Sequence, residues 1–139
     1  MQTISITTKT KKKAAGNITD QVKTFEDACE ILGIDGDVIT GSISDALAGD
    51  ADSIAAYAKL IIIARALNEG WKPDWSNNSQ YKYVPWFKHK SGFGLSFGGY
   101  GGWRTFTAVG SRLCFKTKEL AEYAATQFAD LYNDYLSIK

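Results

Sequence analysis

The spacing of hydrophobic positions along the chain predicts three helices. A short helix is predicted over residues 24–32, because Thr24 can cap its N-terminus and Gly33 follows its last apolar residue. A long helix is predicted over residues 51–69, and its centre is apolar on nearly every side, as in a helix covered by the rest of the fold. A second long helix is predicted over residues 117–136. Its inward stripe consists of Leu120, Ala124, Phe128, Leu131 and Tyr135.

Between the two long helices the hydrophobic period changes to two, which is typical of strands. The pattern spans residues 81–115 in four short runs, and the turns between the runs are short and rich in glycine. Short turns of this kind join antiparallel neighbours. We therefore predict an α+β domain, in which an antiparallel meander of three or four strands packs against two long helices and one short helix.

The domain is predicted to cover residues 18–139. Residues 1–17 contain four threonines, several lysines and few apolar residues, a composition that predicts a flexible N-terminal arm. The remaining length, with 45% hydrophobic residues in the whole chain, suffices for one core. No apolar block follows the basic N-terminal residues and no run of about 18 apolar residues occurs, so neither a signal peptide nor a contact with a membrane is predicted.

Charge and cysteine content restrict the binding partners and the cellular compartment that we predict for the protein. Sixteen Lys and Arg against fifteen Asp and Glu leave a net charge of +1, so no overall field attracts nucleic acid and any binding must come from a local surface. Cys29 and Cys114 lie in apolar contexts and are predicted to be buried free thiols. Free thiols are typical of a reducing compartment, so a cytoplasmic location is predicted.

Six glycines within residues 92–102 are the most conspicuous feature of the sequence. A dinucleotide-binding loop would need a helix directly after the glycines, and none is predicted, so we interpret them as hairpin turns and sites of close packing. Strand alternation places Phe93, Leu95 and Phe97 on an inward face. The opposite face is then predicted to be bare of side chains, and it carries Gly94, Ser96 and Gly98.

Eleven aromatic residues fall within residues 71–106 and could bind a partner or form the core. Where such rings border the bare face, they would make a contact surface for a flat group or another chain. The candidate binding residues are Trp86, Gly94, Ser96, Gly98, Tyr100, Trp103 and Arg104. Both interpretations, binding and packing, stay open for these rings at the level of the sequence.

Candidate catalytic and metal-binding groups are sparse. His89 is the single histidine, and it lies between two lysines, so neither a nucleophile–base–acid triad nor a set of metal ligands can be assembled from the sequence. Ser111 and Cys114 remain as weak candidates for the nucleophile of a small hydrolase. We therefore predict no catalytic residue, no metal and no cofactor.

Four segments of the chain carry a resemblance to known sequences. They are TFEDACEILGI at 24–34, YVPWF at 83–87, GSRLCFK at 110–116 and LAEYA at 120–124. Together with the residues between them they resemble small proteins encoded by phages and prophage-like elements of gut bacteria. The resemblance implies a role in the cytoplasm of a bacterial host or in association with a virion, and it supplies no catalytic residue.

Three functions are weighed on these grounds. The first is a non-catalytic interaction module that binds a phage or host protein, or a second copy of itself, through the glycine- and aromatic-rich sheet surface. The second is an accessory protein for single-stranded nucleic acid, which the near-neutral net charge disfavours. Its stacking residues would be Trp86, Tyr100, Trp103 and Arg104, and phosphates would be contacted by the arm from Lys9 to Lys13 and by Lys82, Lys88, Lys90 and Arg104. The third, a small hydrolase, is the weakest.

Overall fold

The computed structural model describes residues 16–37, 45–90, 94–107 and 111–138. Its elements confirm the α+β class, and residues 1–15 of the predicted arm lie outside the described residues. The elements, in chain order, are α1 (Ile18–Gln21), α2 (Phe25–Leu32), a 3-10 helix (Asp45–Asp50), α3 (Ala51–Leu67), β1 (Lys82–Lys90), β2 (Gly94–Trp103), a second 3-10 helix (Ser111–Leu113), α4 (Lys118–Gln127) and α5 (Ala129–Leu136).

The predicted short helix is confirmed as α2, and local hydrogen bonds define both of its ends. The Asp27 backbone N–H donates to the Thr24 hydroxyl at 3.1 Å, and the Asp27 carboxylate accepts from the Thr24 N–H at 2.9 Å. This reciprocal capping box satisfies donors that a helix N-terminus otherwise leaves free. The helix ends at Gly33, which adopts the left-handed conformation at φ 66° that glycine tolerates best.

Helix α3 forms the centre of the core, as its nearly uniform apolar sequence predicts. Leu60, Ile63 and Leu67 are at most 1% exposed, and the helix packs against both α2 and α5. The predicted helix extended to residue 69, but α3 ends at Leu67. Glu69 and Gly70 both have positive φ, at 51° and 85°, which turns the chain away from the helix axis.

The predicted long helix over residues 117–136 is two helices, α4 and α5, separated at Phe128. Thr117 caps α4 as expected, with its hydroxyl accepting from the Leu120 N–H at 3.2 Å. At Phe128 the backbone leaves helical geometry, at φ −112° and ψ 32°. The Phe128 ring is buried edge-on to Tyr123, and beyond the break Tyr132 takes the inward position that the stripe assigned to Leu131 and Tyr135.

The predicted meander of three or four strands is a two-stranded hairpin, β1 and β2, within the described residues. The predicted third run leaves the ladder after Trp103, where the ammonium of Lys82 takes the Arg104 carbonyl as an acceptor at 2.6 Å. The predicted fourth run begins as a 3-10 helix and then forms one isolated antiparallel bridge, between Tyr83 and Phe115. Both backbone hydrogen bonds of that bridge are short, at 2.9 and 2.7 Å.

The backbone of residues 114–116 forms hydrogen bonds with a side-chain amide where a sheet would supply another strand. The buried Asn68, directly after α3, donates from Nδ2 to the Cys114 carbonyl at 2.9 Å and accepts from the Lys116 N–H at 3.0 Å. These two bonds satisfy the backbone of the segment without strand pairing. This explains why the segment pairs at one residue only, and how α3 is tied to the hairpin.

Candidate binding surface

The hairpin is antiparallel with one irregularity, which lies where β1 passes from Trp86 to Phe87. Trp86 pairs with Gly99 and Phe87 with Phe97, so Gly98 is an extra residue in β2. Alternation along β1 assigns Tyr83 and Phe87 to one face and Val84 and Trp86 to the other. Phe87 faces the core, with its ring centroid 4.9 Å from that of Tyr132.

The face that the sequence predicts to be bare is covered by side chains of β1. The indole of Trp86 lies across Gly98 and Gly99, where an added Cβ would come within 2.4 and 2.8 Å of the ring. On the other face, the ring of Tyr81 lies over Gly102, at 2.9 Å from an added Cβ. Glycines in β2 therefore seat the aromatic rings of the neighbouring strand, a form of cross-strand packing that the glycine pattern alone does not disclose.

Gly94 and Ser96, the other members of the predicted bare face, are half-buried. Gly94 has φ 72°, and an added Cβ would lie 2.5 Å from Oδ1 of Asn133 in α5. The same Asn133 oxygen accepts from the Leu95 N–H at 3.1 Å, which anchors the start of β2 to α5. Ser96 pairs with Lys88. Residues 94 and 95 therefore attach the hairpin to α5, and Gly94 and Ser96 do not form an exposed surface.

Trp86 is 45% exposed although its ring is held against the glycine backbone. The ammonium of Lys88 lies 5.6 Å from the centroid of the indole. A cation at this distance is attracted to the ring face. Trp86 thus presents a fixed, half-exposed aromatic surface with a positive charge beside it.

A second aromatic group lies on the opposite face and is here called the tyrosine row: Tyr81, Tyr83 and Tyr100. Ring centroids of Tyr81 and Tyr83 are 6.0 Å apart, and those of Tyr83 and Tyr100 are 5.9 Å apart. Tyr81 and Tyr100 are 42% and 43% exposed. The guanidinium carbon of Arg104 lies 4.6 Å from the Tyr81 centroid, and Arg104 also donates to the Tyr81 hydroxyl. Of the predicted binding residues, Tyr100 therefore belongs to the tyrosine row and Arg104 lies at its Tyr81 end, while the middle ring, Tyr83, is half-buried against the core.

Trp103 is placed elsewhere, beside the most deeply buried charged residue of the structure as described, Lys82. The Lys82 ammonium donates to the carbonyls of Asn77, Gln80 and Arg104 at 3.2, 2.8 and 2.6 Å. It lies 5.3 Å from the Trp75 ring, which in turn is 6.5 Å from the Trp103 ring. These contacts satisfy the three donors of the ammonium and lock the loop before β1 to the residue after β2.

The sequence already suggested Lys82, Lys88, Lys90 and Arg104 as phosphate contacts of the hairpin, but the absence of acidic residues around them was missed. Residues 75–118 contain no Asp or Glu, whereas all fifteen acidic residues lie outside this segment. The basic residues of the segment are Lys82, Lys88, Lys90, Arg104, Arg112, Lys116 and Lys118. The whole-chain charge of +1 averages away this local excess, and an excess of one sign on one surface attracts ions of the other sign.

Next to the hairpin lies a cleft of about 520 Å³, formed between the sheet and α5. Its lining is mainly aliphatic and aromatic, and it includes His89, Tyr132 and Tyr135. Burial raises the pKa of both tyrosines above the ordinary value of a phenol, most strongly for Tyr132, so neither phenol is a source of negative charge near neutral pH. Among the described lining residues, His89 has no carboxylate beside it that could orient its imidazole as a general base.

Of the two residues considered for nucleophilic chemistry, Cys114 is buried, and the side chain of Ser111 lies outside what the structure describes. Burial raises the pKa of the Cys114 thiol to about 11, so the thiol stays protonated at neutral pH. Its carbonyl is engaged by Asn68, and its side chain is 3% exposed. Cys29 is also buried, and both cysteines are free. In the described ranges, no group of three His, Cys, Asp or Glu side chains is arranged to hold a metal ion.

Comparisons of the chain with protein-family models, with curated proteins and with solved structures found no match. Among the residues that the structure describes, no helix has both the length and the apolarity needed to cross a bilayer. Function is therefore inferred from the chemistry of the hairpin surface.

Proposed function

We propose that this protein is a non-catalytic binding module that contacts an anionic macromolecular partner through its hairpin. One observation carries the proposal: the hairpin holds half-exposed aromatic rings beside cations, within a segment of the chain that contains no acidic residue. Rings fixed in place lose little conformational entropy on binding, and nearby cations draw an anionic partner toward them. The phage or prophage context implied by the sequence resemblance is part of this proposal.

The exposed cations of the hairpin supply the electrostatic part of the contact. Lys88, Lys90 and Arg104 are exposed, while Lys82 is buried and Lys116 forms an ion pair with Glu69 at 3.1 Å. Lys88 lies beside Trp86, Arg104 lies beside Tyr81, and Lys90 ends β1. We expect them to set the salt dependence of binding, and the rings to set its selectivity.

Retention on immobilised heparin, a polyanion without bases, tests the proposal. We expect the wild-type protein to be retained, and the double variant Lys88→Ala, Arg104→Ala to elute at lower salt. The matched control is Arg65→Ala, Lys72→Ala, which removes two exposed cations outside the hairpin segment and should elute with the wild type. No retention, or an equal loss in both double variants, would contradict the proposal.

A protein partner, including a second copy of the chain, is the second candidate. It is favoured by the exposure of large apolar side chains, of which Phe106 is 68% and Trp86 45% exposed. Light scattering after size-exclusion chromatography tests self-association. If the protein self-associates, we expect a dimer that the substitution Trp86→Ala dissociates. A monomer at every concentration would exclude a second copy of the chain as the partner.

A further inference from the structure

The tyrosine row and Arg104 together have the chemistry of a site for single-stranded nucleic acid. Tyr81 and Tyr100 are more than 40% exposed, and the half-buried ring of Tyr83 lies between them at centroid distances of 6.0 and 5.9 Å, stacked with Tyr81 and edge-on to Tyr100. Successive aromatic rings on a small sheet are the platforms on which successive bases stack in proteins that bind single strands. A guanidinium at one end of such a row can accompany the phosphate that follows a stacked base.

The row is held in place before any ligand arrives. The ring of Tyr81 rests on Gly102, and the Arg104 carbonyl is fixed by the buried ammonium of Lys82. The Arg104 side chain is in turn bonded to the Tyr81 hydroxyl. Because these contacts already restrict the rotamers, a stacked base would gain contact area at a small cost in side-chain entropy.

Charge and geometry together favour a single strand over other anions. An acidic peptide would use the cations but gains little from three neighbouring rings. A duplex keeps its base faces stacked inside the helix and offers phosphates alone. A single strand offers both unstacked bases and phosphates, and this combination matches rings and cations within one acid-free segment.

We infer that the tyrosine row binds the bases, and Arg104 a phosphate, of a single-stranded nucleic acid. This inference rests on the proposed function, since it names the class of anionic partner that the hairpin takes. Trp86 with Lys88 lies on the other face of the hairpin, so it is not part of this stacking row.

Fluorescence anisotropy with a labelled oligothymidylate of about 12 nucleotides tests the inference. We expect Tyr100→Ala to weaken binding by about tenfold, because the loss of one stacking ring has an effect of this size. Tyr100→Phe keeps the ring and should bind like the wild type. Arg104→Ala should weaken binding and lower the slope of log affinity against log salt by about 0.7, the value for one phosphate contact with a single strand. Arg65→Ala is the matched control and should change neither.

Two further probes separate this inference from the function on which it rests. Poly-glutamate and a blunt duplex of the same length are titrated in parallel, and both should bind more weakly than the single strand. Equal binding of all three polyanions, or equal binding by Tyr100→Ala and the wild type, would overturn the stacking inference while the anionic-partner function stands. No binding of any polyanion would overturn both.

Discussion

The indole of Trp86 lies directly over Gly98, so close that a methyl group on Gly98 would come within 2.4 Å of ring atom Cζ3. Real carbon atoms do not approach so closely, so Gly98→Ala must push the ring off the strand. We expect a loss of about 1 kcal/mol in the free energy of unfolding, since the ring is half-exposed and can move outward. Tryptophan emission should also change, because the indole becomes more solvated. Urea denaturation followed by fluorescence measures both effects.

Gly101→Ala is the matched control for that substitution. Its added Cβ would lie 3.7 Å from Cγ2 of Val84, an ordinary contact, in the same strand. We expect a change within about 0.5 kcal/mol and an unaltered emission spectrum. Equal destabilisation by the two substitutions would mean that the Trp86 ring does not rest on Gly98.

Substitution of the buried Lys82 by methionine should destabilise the fold strongly. Three part-buried carbonyls, those of Asn77, Gln80 and Arg104, would lose their shared donor, and a fully buried acceptor left unsatisfied costs about 1–3 kcal/mol, an upper bound for each of them. We expect a net loss of about 3 kcal/mol, measured by urea denaturation. Lys88→Met, at an exposed position of the same strand, should change the free energy of unfolding by less than about 0.5 kcal/mol.

The hairpin shows what the sequence could disclose and what it could not. Alternation of aromatic and small residues correctly indicated antiparallel pairing near residues 82–103. It could not indicate that the chain leaves the ladder after Trp103, where the Arg104 carbonyl accepts from the buried Lys82 ammonium, because a lysine inside a strand pattern is ordinarily exposed. The prediction of a bare face was wrong for a related reason. The ring that covers Gly98 and Gly99 belongs to Trp86 on the neighbouring strand, and alternation within one strand does not disclose it.

Both thiols should resist alkylation in the folded protein. Burial raises the pKa of Cys114 to about 11, and the pKa of Cys29 is also raised by burial, so the reactive thiolate is scarce at mildly alkaline pH. We expect no modification by iodoacetamide without denaturant and two modified cysteines after unfolding, read by intact mass. Because folding raises the pKa of Cys114 from 9.0, its contribution to stability is present below pH 9.0 and is lost as pH rises towards about 11. Rapid native modification of Cys114 would contradict its burial.

The capping box of α2 should contribute stability that acid removes. The backbone N–H of Lys23 and the N–H and hydroxyl of Thr24 hold the pKa of Asp27 below its ordinary value of 3.8, against an opposing effect of desolvation. A lowered pKa in the folded state stabilises the fold above that value, and the contribution is lost as pH falls through the folded pKa. We expect Thr24→Ala to cost about 1 kcal/mol at neutral pH.

The pH dependence of that contribution is checked by thermal unfolding of the wild type and Asp27→Asn. Asp27→Asn should be less stable at neutral pH, and the difference should shrink at acid pH, where the wild-type carboxylate is protonated. A difference that stays constant across the acid range would show that the charge of Asp27 does not stabilise the helix end.

The ends of a helix could be predicted where residues close by in the sequence determine them, and not where tertiary packing does. The ends of α2 follow from Thr24, Asp27 and Gly33, which act within a few residues and can be recognised in the sequence. The break at Phe128 has no such signal, because neither proline nor glycine marks it. It accompanies the burial of the Phe128 ring beside Tyr123 and of Tyr132 against Phe87, both of which depend on tertiary packing.

The candidate binding residues divide in the same way. Tyr100 and Arg104 could be selected from the sequence as exposed members of an aromatic hairpin, but the contribution of Tyr81 and Tyr83 to the same row depends on ring contacts across the two strands. By register, Trp103 lies on the same face as Trp86 and Ser96, with Trp75 and the Lys82 cluster as its neighbours, whereas Tyr100 lies on the opposite face. The absence of acidic residues over 75–118 can be read from the sequence, but the net charge of +1 for the whole chain does not reflect it.

Amide chemical-shift mapping by NMR shows whether the partner binds at the tyrosine row of the hairpin. An oligothymidylate of about 12 nucleotides is titrated into uniformly ¹⁵N-labelled protein at low salt. We expect the largest shifts on Tyr81, Tyr83, Tyr100 and Arg104, and unchanged amides in α2 and α3. Shifts centred on the helices, or none at all, would contradict binding at the tyrosine row.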